Sequence, residues 1–167
     1  MAKKNGGTKT NAMRILDKLG IEYETAAYDD DGEHKLEKGA ASLTAQKLGI
    51  DPAAVFKTIV MKSDSKEIFV FLQSAVHEIN LKKARAASGA KEIAPVKQDE
   101  LLALTGYVRG GCSPLGMKRQ FKTFIDSSAL AFQKIHVSAG VRGSQLALSP
   151  QDLAKACAGE FVDLVLE

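Results

Sequence analysis

Two β-rich runs, "VFKTIVMKS" (residues 55–63) and "KEIFVFLQS" (residues 66–74), stand two residues apart, across Asp64-Ser65. Runs this rich in β-branched and aromatic residues, separated by so short a polar break, predict an antiparallel hairpin. A central hairpin commits the chain to a sheet-containing fold. The flanking segments then decide between all-β and mixed architecture, and they read as helices. "TNAMRILDKLG" carries apolar residues at helical spacing, with Thr10 as N-cap and Gly20 as stop. "AASLTAQKLG" reads as a second helix, and Asp51-Pro52 has the order of a short helix start. Asn80 is placed to cap "LKKARAAS", closed by Gly89, and "QDELLALTG" gives a further helix. Strand candidates precede and follow them: "IEYETAAY", "FKTFIDSS", "KIHVSAG" and "SQLALS". Ser149-Pro150 starts a helix that Gly159 is expected to stop, and "FVDLVLE" reads as a terminal strand. Helices and strands interleave without a strict βαβ rhythm. This predicts a single α+β domain with a curved, mixed, barrel-like sheet and packed helices.

Composition narrows the function classes. The 167 residues are 45% hydrophobic and 26% charged, ordinary for a globular domain able to bury a core. A net charge of +3 permits a nucleic-acid or phosphate partner without requiring one. Tryptophan is absent and aromatic residues are 6%, which argues against a base-stacking platform. No apolar run approaches the ~18 residues that span a bilayer. The opening "MAKKNGGTKTN" is basic and lacks a hydrophobic signal core, so residues 1–9 read as a flexible lead-in and residues 10–167 as the domain. A cytoplasmic location without membrane attachment is expected.

The densest chemical signal is "TGYVRGGCSPLGMKRQF", residues 105–121. Cys112 invites a nucleophile reading, with Arg109, Lys118 and Arg119 as cations and His77 or His136 as base. No local nucleophile signature surrounds it, and a small residue filling a loop seat is the better reading. Cys157 reads as core. Ser113 lacks the spacing of a nucleophile elbow; its hydroxyl fits a ligand hydrogen bond or a turn before Pro114. His34, His77 and His136 show no metal-ligand spacing, and Asp29 to Asp31 lack a calcium-loop pattern, so no metal is expected. The tandem Gly110-Gly111 can expose backbone N–H groups to an anion, with Lys118, Arg119 and Lys122 following. Lys57 interrupts an apolar strand beside Phe56, and so calls for solvent or an anion. "SAGVRGSQLAL" repeats the theme, with Gly140 and Gly143 flanking Arg142 and a polar Gln145 within a strand-like run.

These segments, "VFKTIV", "TGYVRGGCSPLGMKRQF" with "FID" after it, and "VSAGVRGSQLAL", occur in the order seen in the YbaK/EbsC-like prolyl-tRNA editing family. The resemblance runs from about Thr10 to the C-terminus. It implies cofactor-free removal of amino acids wrongly attached to tRNA(Pro), notably cysteine, by an enzyme acting on the 3′ acceptor end. Prolyl-tRNA synthetase is the implied protein partner; DNA is not. By the same resemblance Lys57, Gly110 and Gly111 match catalytic positions. Tyr28, Phe56, Ser113, Pro114, Lys118, Arg119, Ser138, Gly140, Arg142 and Gln145 fall in the substrate-binding segments. The family often carries aspartate where this chain has Gln145, and a non-thiol residue in the seat of Cys112. The implied mechanism has the substrate's own cysteinyl thiol attack its ester. Action on Ala-tRNA(Pro), or retention of RNA binding without turnover, are the alternatives.

Overall fold

The computed structural model describes residues 9–28 and 40–166. The lead-in before Lys9, the Asp29–Asp31 run and His34 lie outside the described residues.

Local signals place the helices where the sequence predicts them. Helix α1 (Asn11–Leu19) begins at Thr10, whose side chain accepts a hydrogen bond from Met13 N, and ends at left-handed Gly20. Helix α2 spans Ala40–Leu48. Asp51 caps a 3₁₀ turn, Pro52–Ala54. Asn80 accepts from Lys82 N and Lys83 N at the start of α3 (Leu81–Ser88). Helix α4 (Gln98–Thr105) ends at left-handed Gly106. Ser149 accepts from Asp152 N at the start of α5 (Pro150–Cys157). The stop of α5 differs from expectation. Ala158 takes the left-handed cap, with φ of 54°, and Gly159 is already a sheet residue paired with Thr123.

The predicted hairpin forms. Strand β2 (Phe56–Ser63) pairs antiparallel with β3 (Ile68–Ser74), in a register that sets Lys57 opposite Gln73. Strand β4 (Ile93–Pro95), which sequence reasoning missed, adds to the free edge of β2. Three residues ending in a proline give almost no strand signal, and an edge is where proline is tolerated. Strands β5 (Lys122–Asp126) and β8 (Gly159–Val162) extend the other side in parallel, giving the order β4-β2-β3-β5-β8. A second, antiparallel sheet has the order β1-β7-β6, built from β1 (Glu24–Ala27), β6 (Ile135–Ser138) and β7 (Ser144–Leu148).

The expectation of one barrel-like sheet is therefore corrected to two sheets that do not close among the described residues. A single parallel bridge, Val55 to His136, joins them. The backbone of Val55 is also held by neighbouring segments. Its N–H donates to Pro52 O at 3.1 Å, and its carbonyl accepts from Ala75 N at 2.7 Å.

Alternation along the strands divides the interior in two. The larger core takes Phe56, Val60, Val70 and Leu72 from the hairpin, Ile125 from β5, Ile135 and Val137 from β6, and Leu146 and Leu148 from β7. The opposite face of the five-stranded sheet carries Met61, Phe69, Phe71 and Phe124 against Ala84 of α3. Phe71 and Phe124 stack at 5.5 Å between ring centroids, and both are fully buried. Replacing such a ring with alanine removes its contacts and leaves a cavity. Phe124→Ala is expected to lower the free energy of unfolding by about 3–5 kcal/mol in urea titration.

Candidate active site

The alternation that fills the larger core also decides which side chains face away from it. Lys57 follows Phe56, Gln73 follows Leu72, Ser138 follows Val137 and Gln145 precedes Leu146, so all four point away from that core. Register then lines them up. Lys57 is opposite Gln73, and Ser138 is opposite Gln145, which is in turn opposite Ala26 of β1. Lys57 and Ser138 each lie two residues past the Val55–His136 bridge, one in β2 and the other in β6. The result is a polar row, Gln73, Lys57, Ser138 and Gln145, crossing four strands and both sheets.

Lys57 is exposed, whereas Gln73 and Gln145 are buried. Gln73 Nε2 donates to His77 O at 3.0 Å. Gln73 Oε1 and Gln145 Oε1 have no hydrogen-bond partner among the described residues. Ser138 Oγ accepts from Gly140 N at 3.2 Å, which leaves its own proton to donate. Tyr28 lies two residues past Ala26, its N–H donating to Gly143 O at 2.9 Å. Beside the bridge, His136 is half-buried with Nδ1 unpartnered among the described residues; burial pushes its pKa down, so it is neutral at physiological pH.

Two loops meet past the C-terminal end of β6. In the first, Gly111 N donates to Val108 O at 2.9 Å, closing a turn over Val108–Gly111. This engages one of the two N–H groups that the glycine pair was expected to offer a ligand; Gly110, exposed with φ of 87°, is the tip. In the second, Arg142 Nε donates to Arg109 O at 2.9 Å. The loops touch so closely that a Cβ on Gly111 would lie 3.0 Å from Arg142 N and 3.1 Å from Val141 C. Gly140 has φ of 104°, and a Cβ there would lie 2.8 Å from the Tyr107 ring. The ring is itself fixed, its hydroxyl donating to Leu115 O at 2.6 Å.

Several residues of the expected substrate-binding segments are not in this row. Phe56 is in the larger core. Ser113 is fully buried and its hydroxyl accepts from Leu115 N at 3.3 Å, a turn-forming contact; Pro114 is buried with it. The stem of Lys118 lies over Gly106, and Arg119 sits over the Phe121 ring at 5.6 Å. Lys122 pairs with Phe69, four residues along β3 from Gln73, about 13 Å away at ~3.3 Å per residue. Lys122 thus lies toward the far end of the sheet. Arg109 and Arg142 are the cations beside the turn. Sequence reasoning missed Gln73, whose only signal was a polar residue ending an apolar strand.

Neither cysteine is arranged as a nucleophile. Cys112 is buried in the larger core, and burial pushes its thiol up to about 12; burial does the same to Cys157. Among the described residues no three His, Cys, Asp or Glu side chains gather as a metal site would require.

With this geometry in hand, comparison with known proteins is direct. The model of the aminoacyl-tRNA editing domain matches residues 37–156. The chain belongs to that family. It is 37% identical to a candidate Cys-tRNA(Pro)/Cys-tRNA(Cys) deacylase, EbsC of Enterococcus faecalis, over 98% of each chain. A proline–tRNA ligase of Trichlorobacter lovleyi is 28% identical over 56% of this chain, but only 16% of the ligase is covered. The crystal structure of a candidate trans-editing enzyme for prolyl-tRNA synthetase superposes with a TM-score of 0.82 at 19% identity, covering 96% of this chain and all of that one. The two-sheet architecture is therefore the fold of the editing domain. No helix among the described residues is long and apolar enough to cross a membrane.

Two outcomes follow from the buried groups. Unfolded thiols ionise near 9 and the folded ones near 12, so the folded state holds more protons between those values. This contribution to stability is intact below pH 9 and lost as pH rises toward 12. Native protein is expected to resist iodoacetamide at pH 8 at both cysteines, and urea-unfolded protein to react at both, as read by mass spectrometry. Gly140→Ala, which meets both a left-handed backbone and the Tyr107 ring, should lose about 1–3 kcal/mol of stability in denaturant titration.

Proposed function

We propose that this editing domain acts in trans as an aminoacyl-tRNA deacylase, clearing mischarged tRNA(Pro) with Cys-tRNA(Pro) as its favoured substrate. The observation that carries this reading is the polar row, which supplies a cation, a hydroxyl and two amide acceptors, while neither cysteine is arranged as a nucleophile. Such a site suits an ester that brings its own nucleophile. Family membership and the likeness to EbsC support the same reaction class. The need is physical, because a proline pocket cannot reject cysteine or alanine strongly on size alone.

In the proposed step the substrate's cysteinyl sulfur attacks its own ester carbonyl carbon. The S–C bond forms, the C–O bond to the terminal ribose breaks, and the thiol proton ends on the departing ribose oxygen. The products are a cyclic thiolactone and free tRNA. Tethering of nucleophile and carbonyl supplies much of the rate, so the protein's task is orientation. Lys57 stabilises charge on the ester or ribose oxygens, and Gly110 N–H donates to the developing oxyanion. Tyr28, Ser138, Gly140 and Arg142 shape the pocket and its rim. Similarity to a segment of proline–tRNA ligase supports prolyl-tRNA synthetase as the partner that supplies the substrate. The amide of Gln145, where related chains often carry aspartate, favours one second reading: RNA binding without turnover.

Purified protein incubated with Cys-, Ala- and Pro-charged tRNA(Pro) should release cysteine fastest, with thiolactone trapped as the first product. Intact Cys-tRNA(Pro) in the presence of folded protein would overturn the proposal. Lys57→Ala is expected to reduce kcat/KM by about 100-fold. Cys112→Ala should leave kcat/KM unchanged, and a comparable loss there would restore a protein-thiol mechanism.

A further inference from the structure

Gln73 is the member of the polar row that neither its family resemblance nor its surroundings explain. It is completely buried at the end of β3, where its neighbours on the same face are Phe71 and Phe69. Its amide is oriented rather than free to flip. Nε2 donates to His77 O, and the reverse placement would set two oxygens against each other. That orientation fixes Oε1 as the atom left over, and no described residue donates to it. Buried amide oxygens are normally paired, and the exceptions point to a missing partner. The register partner of Gln73 is Lys57.

We infer that Gln73 is a substrate-binding residue, accepting a hydrogen bond from a neutral hydroxyl-type donor of the ligand that also accepts one from Lys57. A group lying between a cationic donor and an amide acceptor must accept on one side and donate on the other. A hydroxyl or thiol does both. An ammonium donates only and would be repelled by Lys57. A carboxylate or phosphate oxygen satisfies Lys57 but leaves Gln73 Oε1 unpaired. The inference rests on the deacylase reading for the identity of the ligand, where two donors qualify: a hydroxyl of the terminal ribose, or the thiol or hydroxyl of the esterified amino acid.

The test is binding, which separates this inference from turnover. RNA hairpins carrying the tRNA(Pro) acceptor stem would end in ribo- or deoxyadenosine, with cysteine, serine or alanine attached through a non-hydrolysable amide. Affinities would be compared for wild type, Gln73→Met and Gln73→Glu. Met removes both amide contacts, while Glu keeps the acceptor and loses the donor to His77 O. A ribose partner predicts that Gln73→Met weakens ribo-ended ligands about tenfold whatever the amino acid, and leaves deoxy-ended ones unchanged. A side-chain partner predicts the same loss confined to cysteine and serine, whatever the sugar. In either case Gln73→Glu should restore the discrimination, which a purely structural role through His77 would not. Equal weakening of every ligand, or none, overturns the inference. If Gln73→Met does not fold, loss of discrimination in Gln73→Glu decides against it. Failure of wild type to bind any of these RNAs overturns the deacylase reading itself, and this inference with it.

Discussion

The single parallel bridge between Val55 and His136 is the contact on which the site depends. Without it the protein has two sheets with no common register, and Lys57 and Ser138 have no reason to be neighbours. With it, Lys57 and Ser138 each stand two residues past a shared point. The ordinary cross-strand pairs then carry the row outward to Gln73 and Gln145. Because the bridge is one residue pair long, its position is set by what surrounds it. The 3₁₀ turn over Pro52–Ala54 and the contact from Ala75 N hold Val55 in place from both sides. Apolar burial holds the sheets face to face, with Phe56 and Leu72 of the hairpin and Val137 and Leu146 of the second sheet in one core.

This arrangement explains why polar groups can be kept at the edge of a well-packed interior. Every side chain of the row alternates with a core residue, so the packing that stabilises the fold also fixes the direction of the site. The loops add a second constraint. Gly111 and Gly140 allow a close approach of the 108–111 turn, the 138–143 segment and the Tyr107 ring, and Arg142 ties the two loops together through Arg109 O. The deeply buried Cys112 belongs to that packing.

Much of this was legible in the sequence, and what was legible was local. Thr10, Asn80 and Ser149 cap helices because a side chain two or three residues away needs no tertiary information to reach its N–H. The hairpin was readable from two adjacent apolar runs. The site residues Lys57, Ser138, Gly140 and Gln145 could be named one at a time, from interruptions of apolar pattern and from family resemblance. What could not be read was anything set by register. Phe56 adjoins Lys57 in the chain yet faces the opposite way. Lys118 and Arg119 follow the glycine pair closely, but Lys118 packs over Gly106 and Arg119 over Phe121, and Lys122 pairs at the other end of the hairpin from Lys57. Gln73 becomes a neighbour of Lys57 only when β2 and β3 pair, and β4 is too short and too proline-rich to announce itself.

The central claim is the location of the site: the row across both sheets, with Gly110 and Arg142 at its rim. Backbone amide shifts read it most directly, in a titration of labelled protein with an RNA hairpin bearing the tRNA(Pro) acceptor end and amide-linked cysteine. The account predicts the largest shifts at Tyr28, Lys57, Gln73, Ser138, Gly140 and Gln145, with Gly110 and Arg142 following. Shifts centred on Lys118, Arg119 and Lys122, with the row unmoved, would contradict it.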